Sequence, residues 1–199
     1  MNYLITGGAG FIGSNIAKRL VRDGESVRVI DNFSTGEKNN IDEIKDKIDI
    51  IEGDIRDTES VLKAVKDVDF IIHQAALPSV PRSIKDPITA NDVNVTGTLN
   101  LLNATKNSKI KRFVYASSSS VYGDTPILPK REDMPPNPQS PYAVTKLTGE
   151  YYCSVFYKVY GLPTVSLRYF NVFGPFQDPE SQYAAVIPKF INAVLHHNS

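Results

Sequence analysis

Tyr142 and Lys146 stand four residues apart in a segment with a helical pattern, so they share one helix face. A tyrosine normally loses its proton near pH 10. An ammonium beside it, together with the positive ring of a bound nicotinamide, would favour the phenolate, and a phenolate can act as general base on a hydroxyl. Four serines at 117–120 follow a β-branched and aromatic run. A serine hydroxyl there can hydrogen-bond the oxygen that the tyrosine deprotonates. Near the N-terminus, glycines 8, 10 and 13 fit G-x-G-x-x-G, and glycines 7, 10 and 13 fit the wider G-x-x-G-x-x-G. Glycine permits a tight turn and lets the backbone approach a pyrophosphate, whose charge the amides of a following helix bind. Asp31 lies 18 residues beyond Gly13, at the end of the next strand-like run. A carboxylate there accepts hydrogen bonds from ribose hydroxyls and repels a 2′-phosphate, which favours NAD over NADP.

These groups need a frame. Short β-branched runs at residues 3–6, 27–30, 48–51, 70–72, 112–116 and 164–169 read as strands. Helical patterns lie between them. One follows the glycines to Arg22, where Asp23-Gly24 gives a stop. Thr58 is the expected cap of a helix through Lys66, and Asp86-Pro87 starts one running to about Asn107. Ser140-Pro141 starts another, ended by Gly161. A last helix is expected over 183–196, interrupted by Pro188. Residues 32–47 are too weakly patterned to assign, and the proline-rich stretch 123–139 reads as an ordered loop. Alternating strands and helices predict an α/β protein with a doubly wound, Rossmann-type parallel sheet. The serines would sit just past the fifth strand, at the sheet edge where such folds bind ligands.

Composition narrows the class. The chain has 199 residues, with 22 Lys+Arg against 22 Asp+Glu and 41% hydrophobic residues. Balanced charge argues against a nucleic-acid or anionic-membrane partner. The single cysteine excludes an intrachain disulfide and a cysteine-rich zinc site. No apolar run approaches membrane-spanning length, and no signal-peptide pattern opens the chain. A soluble, cytoplasmic protein is expected. His73 reads as a packed core histidine and Cys153 as a buried filler. His196 and His197 are adjacent and so do not share a helix face; no metal site is expected.

Seven motifs occur in order: T-G-G-A-G-F-I-G-S at 6–14, G-D-I-R-D at 53–57, H-Q-A-A at 73–76, N-V-T-G-T at 94–98, S-S-S-S-V-Y-G-D at 117–124, S-P-Y-A-V-T-K at 140–146 and R-Y-F-N-V-F-G at 168–174. Together they resemble the extended short-chain dehydrogenase/reductase family, nucleotide-sugar branch. The resemblance implies NAD as cofactor and assigns roles. Tyr142 is the general base, Lys146 lowers its pKa and holds the nicotinamide ribose, and Ser118 is the partner serine, with Ser119 as fallback. Gly7, Gly10, Gly13 and the amides of Phe11 and Ile12 hold the pyrophosphate. Asp31 and Asn32 take the adenosine ribose, and Asp54 and Ile55 border the adenine. Gln74, Ala75, Ala76 and Asn94 lie along the cofactor, and Tyr169 packs near the nicotinamide. Ser118, Ser119, Tyr142 and Asn171 contact substrate, Asn171 at its diphosphate.

Dehydratases and decarboxylases of this branch carry an acidic residue two or three places before the tyrosine of V-Y-G. Here Ser119 and Ser120 stand there, which favours simple 4-epimerisation. P-R-S-I at 81–84 and Q-Y-A-A-V-I-P-K at 182–189 look most like UDP-N-acetylglucosamine 4-epimerases, with UDP-glucose and UDP-glucuronate 4-epimerases as competitors. The implied mechanism oxidises the sugar at C4 to a 4-keto sugar, with Tyr142 taking the hydroxyl proton, and reduces it again from the opposite face. Aromatic and aliphatic residues on several faces of the 142–160 helix, with this resemblance, imply a homodimer. Residues 1–172 would form the NAD-binding domain and 173–199 the start of an incomplete substrate domain. The family normally continues for on the order of 100 residues more. A non-catalytic NAD-binding module is the rival reading from another class.

Overall fold

The computed structural model describes residues 1–177 and 186–195. Six strands form one fully parallel sheet: β1 (Asn2–Thr6), β2 (Ser26–Asp31), β3 (Asp49–Glu52), β4 (Phe70–His73), β5 (Arg112–Ser118) and β6 (Thr164–Tyr169). Their order is β3-β2-β1-β4-β5-β6. The chain runs outward from β1 in one direction, then returns to its other edge, and the crevice at that reversal is where ligands bind. Alternation along each strand supplies two cores. Leu4, Ile30, Ile71, Phe113 and Tyr115 face one side, while Ile5, Val27 and Val29 face the other.

Helix α1 (Phe11–Arg22) covers the second side, together with two 3₁₀ turns, Lys38–Asn40 and Asp42–Lys47. These turns lie in the stretch with no clear pattern, and Ile41 and Ile44 are its buried anchors. The first side is covered by α2 (Thr58–Ala64), α5 (Gly97–Thr105) and α6 (Pro141–Tyr160). Two short helices, α3 (Val80–Lys85) and α4 (Pro87–Asn91), precede α5.

Several expectations are corrected. The α2 cap is Asp57, not Thr58: its carboxylate accepts from the amides of Glu59 and Ser60, and the helix ends at Ala64. Asp86 caps α4 through the Thr89 amide, as expected. The single helix to Asn107 is instead broken by a π-helical turn, Asp92–Thr96, before α5. A turn wound more widely changes which side chains face inward, and hydrophobic periodicity does not register it. Segment 80–85, read only as a motif, is helical. β5 extends to Ser118, so Ser117 and Ser118 lie within the strand, paired with Arg168 and Tyr169. Ser119–Tyr122 then forms a 3₁₀ turn. Ser140 and Gly161 bound α6 as expected, with Gly161 in the left-handed region at φ 70°. The last described helix, α7, is Val186–Leu195, and Pro188 lies within it rather than interrupting it. Residues 183–185 and His196 and His197 lie outside the described residues.

Candidate active site

One cavity of about 1130 Å³ runs along the C-terminal edge of the sheet. Its glycine end is built by backbone. Gly7 is left-handed at φ 68°, and a Cβ on Gly13 would lie 2.2 Å from the Gly7 carbonyl oxygen. Only glycine lets these two chain segments meet. Helix α1 then begins at Phe11 with no side-chain cap and no acidic residue in its first turn. The amides of Phe11 and Ile12 therefore open onto the cavity as an anion site.

At the end of β2, Asp31 is fixed from both sides. Its Oδ2 accepts from the Ala9 amide at 2.9 Å and its Oδ1 from the Phe33 amide at 2.9 Å. The carboxylate keeps further lone pairs for a ligand. Asn32 does not stand free beside it. Its amide donates to Asp54 at 2.7 Å, which joins the ends of β2 and β3. Arg56 holds Asp54 from its other side, so that the Asp54 carboxyl falls to about 2. Asp31, Asn32, Asp54 and Ile55 all line the cavity.

The chemical end lies where β5, β6 and α6 meet. Ser118, Tyr142 and Lys146 line the same cavity, as do Gln74, Ala75, Ala76, Tyr169 and Asn171. Lys146 is 4% exposed, and its ammonium donates to the Ala116 carbonyl at 2.8 Å and sits 5.8 Å from the Tyr142 ring centre. Burial pulls Lys146 down to about 8. Burial raises the Tyr142 phenol, and the neighbouring Ser118 hydroxyl opposes this without overcoming it. The ammonium 5.8 Å away does not by itself make the phenol acidic. The Gln74 amide donates to the Tyr169 hydroxyl at 3.1 Å, tying β4 to β6 across the cavity floor.

Two expected site residues do not line the cavity. Ser119 has turned away into the 3₁₀ turn. Asn94 is 1% exposed, and its amide is fully engaged. It accepts from the Leu77 amide, and it donates to the Leu77 carbonyl and to Thr145 on α6. It braces the cavity wall from behind.

Other residues at this end escape a motif search. Ser117 donates to Glu150, and Arg168 grips Glu150 with two bonds of 2.9 Å. This pair ties α6 to β6 directly behind the serines. Glu150 lies four residues beyond Lys146 and eight beyond Tyr142, so the 142–146–150 stripe was visible in the spacing. Ser83 of α3 accepts from the Tyr142 amide at 3.0 Å; only its place in P-R-S-I pointed to it.

His73 is a core residue, as expected. It is 1% exposed, between Thr6 at 2.6 Å and Thr98 at 2.9 Å, and burial pulls it down to about 3. Cys153 is likewise buried, and burial pushes its thiol up to about 12. Among the described residues no group of three His, Cys, Asp or Glu could hold a metal, and no helix is long and apolar enough to cross a membrane.

The profile of the NAD-dependent epimerase/dehydratase family matches residues 3–199. The chain belongs to this family. Among its family relatives, the UDP-glucose 4-epimerase of Mycolicibacterium smegmatis is 41% identical over 199 residues, 98% of this chain and 63% of that protein. The structure of a UDP-N-acetylglucosamine 4-epimerase from Methanobrevibacter ruminantium, in complex with UDP-N-acetylmuramic acid, superposes with a TM-score of 0.93 at 46% identity, over 100% of this chain and 64% of that one. That of Thermus thermophilus UDP-glucose 4-epimerase with NAD gives 0.89 at 41% identity, over 99% and 63%. This member of the epimerase/dehydratase family thus spans a little under two thirds of the length of each of these relatives.

Proposed function

We propose that the protein binds NAD and interconverts UDP-sugars epimeric at C4, with UDP-N-acetylglucosamine and UDP-glucose as the favoured substrates and UDP-glucuronate next. The observation that carries this reading is one cavity with a glycine-built anion site and a fixed Asp31 at one end, and Ser118, Tyr142 and Lys146 at the other. The residues fit the cofactor. The open amides of α1 match a diphosphate, and the anchored Asp31 carboxylate matches ribose hydroxyls while repelling a 2′-phosphate. Asp54 and Ile55 would flank the adenine, and Lys146 would hold the nicotinamide ribose. NAD bound there would supply a reversible two-electron oxidation at the sugar C4 and a positive charge that favours the phenolate.

The chain's own groups then handle the proton. Tyr142 removes it from the 4-hydroxyl and returns it to the same oxygen when C4 is reduced from its other face, and Ser118 bonds that oxygen and holds it in line. The Lys146 ammonium offsets part of the negative charge that forms on the phenol. Asn171 would meet the substrate diphosphate. Asn94 serves as a brace for the cavity wall. The same reading includes a homodimer and a cytoplasmic location.

The test is nucleotide released from the denatured protein, identified by mass spectrometry, together with turnover of a Tyr142→Phe variant. We expect bound NAD in both proteins and a loss of turnover of at least about a hundredfold in the variant. NAD without turnover in the wild-type protein would instead favour a non-catalytic NAD-binding module. Full activity in the variant would refute the role of Tyr142.

A further inference from the structure

The first turn of α6 has an unusual arrangement of caps. Pro141 occupies the first helical position and has no N–H to satisfy. The Ser140 hydroxyl accepts from the Ala143 amide at 3.1 Å. The amide between them, that of Tyr142, is left over. It is satisfied from another element, by the Ser83 hydroxyl of α3 at 3.0 Å. Ser83 is 1% exposed, and its own proton goes to the Val80 carbonyl at 2.7 Å. Its hydroxyl is therefore oriented: the donor direction is taken, and a lone pair faces Tyr142.

The segment that carries Ser83 is held at a second point. Asn94 clamps both backbone groups of Leu77 and reaches Thr145 on α6. Leu77, Pro78 and Arg82 of this segment line the cavity beside Tyr142. The wall 77–83 and the first turn of α6 are thus joined on both sides of the tyrosine, at Leu77 through Asn94 to Thr145, and at Ser83 to Tyr142 itself.

We propose that Ser83 is a positioning residue for Tyr142. It fixes the tyrosine backbone so that the phenol stays at the end of the cavity that Ser118 also lines. The inference rests on the reading of Tyr142 as the general base, but it makes a separate physical claim. A serine hydroxyl beside the phenol favours the phenolate against burial. Release of the backbone amide lets the first turn fray and takes the phenol away from Ser118. The phenol should then titrate at higher pH, and less of the reactive form is present at neutral pH.

The experiment compares wild type with Ser83→Ala, Ser83→Cys and Ser83→Thr in the full-length protein. Cysteine keeps the shape of serine, fills the site that alanine would leave open, and accepts hydrogen bonds poorly, so it is read if the alanine variant does not fold. Threonine keeps the hydroxyl. Three quantities are measured: the ultraviolet titration of Tyr142, by difference from Tyr142→Phe; the pH dependence of kcat with a UDP-sugar; and the melting temperature. Ser83→Ala or Ser83→Cys is expected to move the phenol titration and the acid limb of kcat to higher pH together. Neutral-pH kcat should drop about tenfold with KM within twofold, and Ser83→Thr should restore both. An unmoved titration overturns the proposal, even if stability and turnover fall together. So does a folded Ser83→Thr that restores neither. If the wild-type protein turns over no UDP-sugar, the base assignment fails, while the titration still decides the role of Ser83.

Discussion

At the scale of single residues, the site depends on which polar groups are saturated. Tyr-x-x-x-Lys, the glycine string and Asp31 were legible because each needs a residue type at a fixed spacing. Asn94 lies inside an equally clear motif, yet its amide is engaged with Leu77 and Thr145. A motif gives the residue but not the side from which its neighbours approach. The direction of the Tyr142 shift depends on how deeply the ring is packed, and a sequence does not state that depth. His73 is the cleanest case of saturation. The Thr98 hydroxyl donates to the Asn94 carbonyl at 2.6 Å, so Nε2–H of His73 must donate to Thr98 and Nδ1 must accept from Thr6. The ring is neutral, and a second proton would remove its acceptor. Its folded value, about 3, lies below the ordinary histidine value of about 6.5. The unfolded chain therefore takes up the proton first. The stabilisation is complete above about pH 6.5 and is lost as pH falls from there toward 3. Urea unfolding should show wild type losing on the order of a few kcal/mol over that window. His73→Gln should be weaker at pH 7 but flatter with pH, and parallel pH curves would contradict the assignment.

Between elements, the contact that sets the site is α6 against β5. Gly149 makes it possible. A Cβ there would lie 2.3 Å from the ring and hydroxyl of Tyr115, whose hydroxyl donates to the Lys146 carbonyl at 3.4 Å. The ring is fully buried and cannot swing aside. Gly149→Ala must lift α6 from the strand, carrying Tyr142 and Lys146 with it. We expect a destabilisation of about 2–4 kcal/mol by denaturant titration, and turnover reduced more than NAD affinity. Stability within about 0.5 kcal/mol of wild type would mean that the helix has slack here. The caps of α4 and α6 were readable as Asp-Pro and Ser-Pro. The π turn at Asp92–Thr96 was not, because no residue type or spacing marks the extra winding; Asn94 within it is held by Leu77 and Thr145, and a Cβ on Gly97 just after it would lie 2.5 Å from the Ile55 side chain. The 3₁₀ turns of residues 38–47 hang on two isoleucines, too few to make a period.

At the scale of the molecule, doubly wound topology followed from the alternation of elements, since parallel neighbours need crossovers and these have one hand. The outer face of α6 points beyond the monomer. Val144, Tyr151, Val155 and Val159 recur at helical spacing and are between 49% and 65% exposed. The homodimer of the proposed function would cover this stripe. Light scattering should then show a dimer that Val155→Glu converts to monomer, and a wild-type monomer at micromolar concentration would remove the dimer from the reading. The strand order also has a consequence in time. β1 has β2 on one side and β4 on the other, and β4 is complete only at His73. At about 5–20 residues per second, a ribosome leaves one edge of β1 uncovered for several seconds after Thr6 is made. Leu4 and Ile5, wholly buried once the sheet closes, stay without that cover for an interval of this length. The nascent chain should therefore bind chaperones until its sheet has closed.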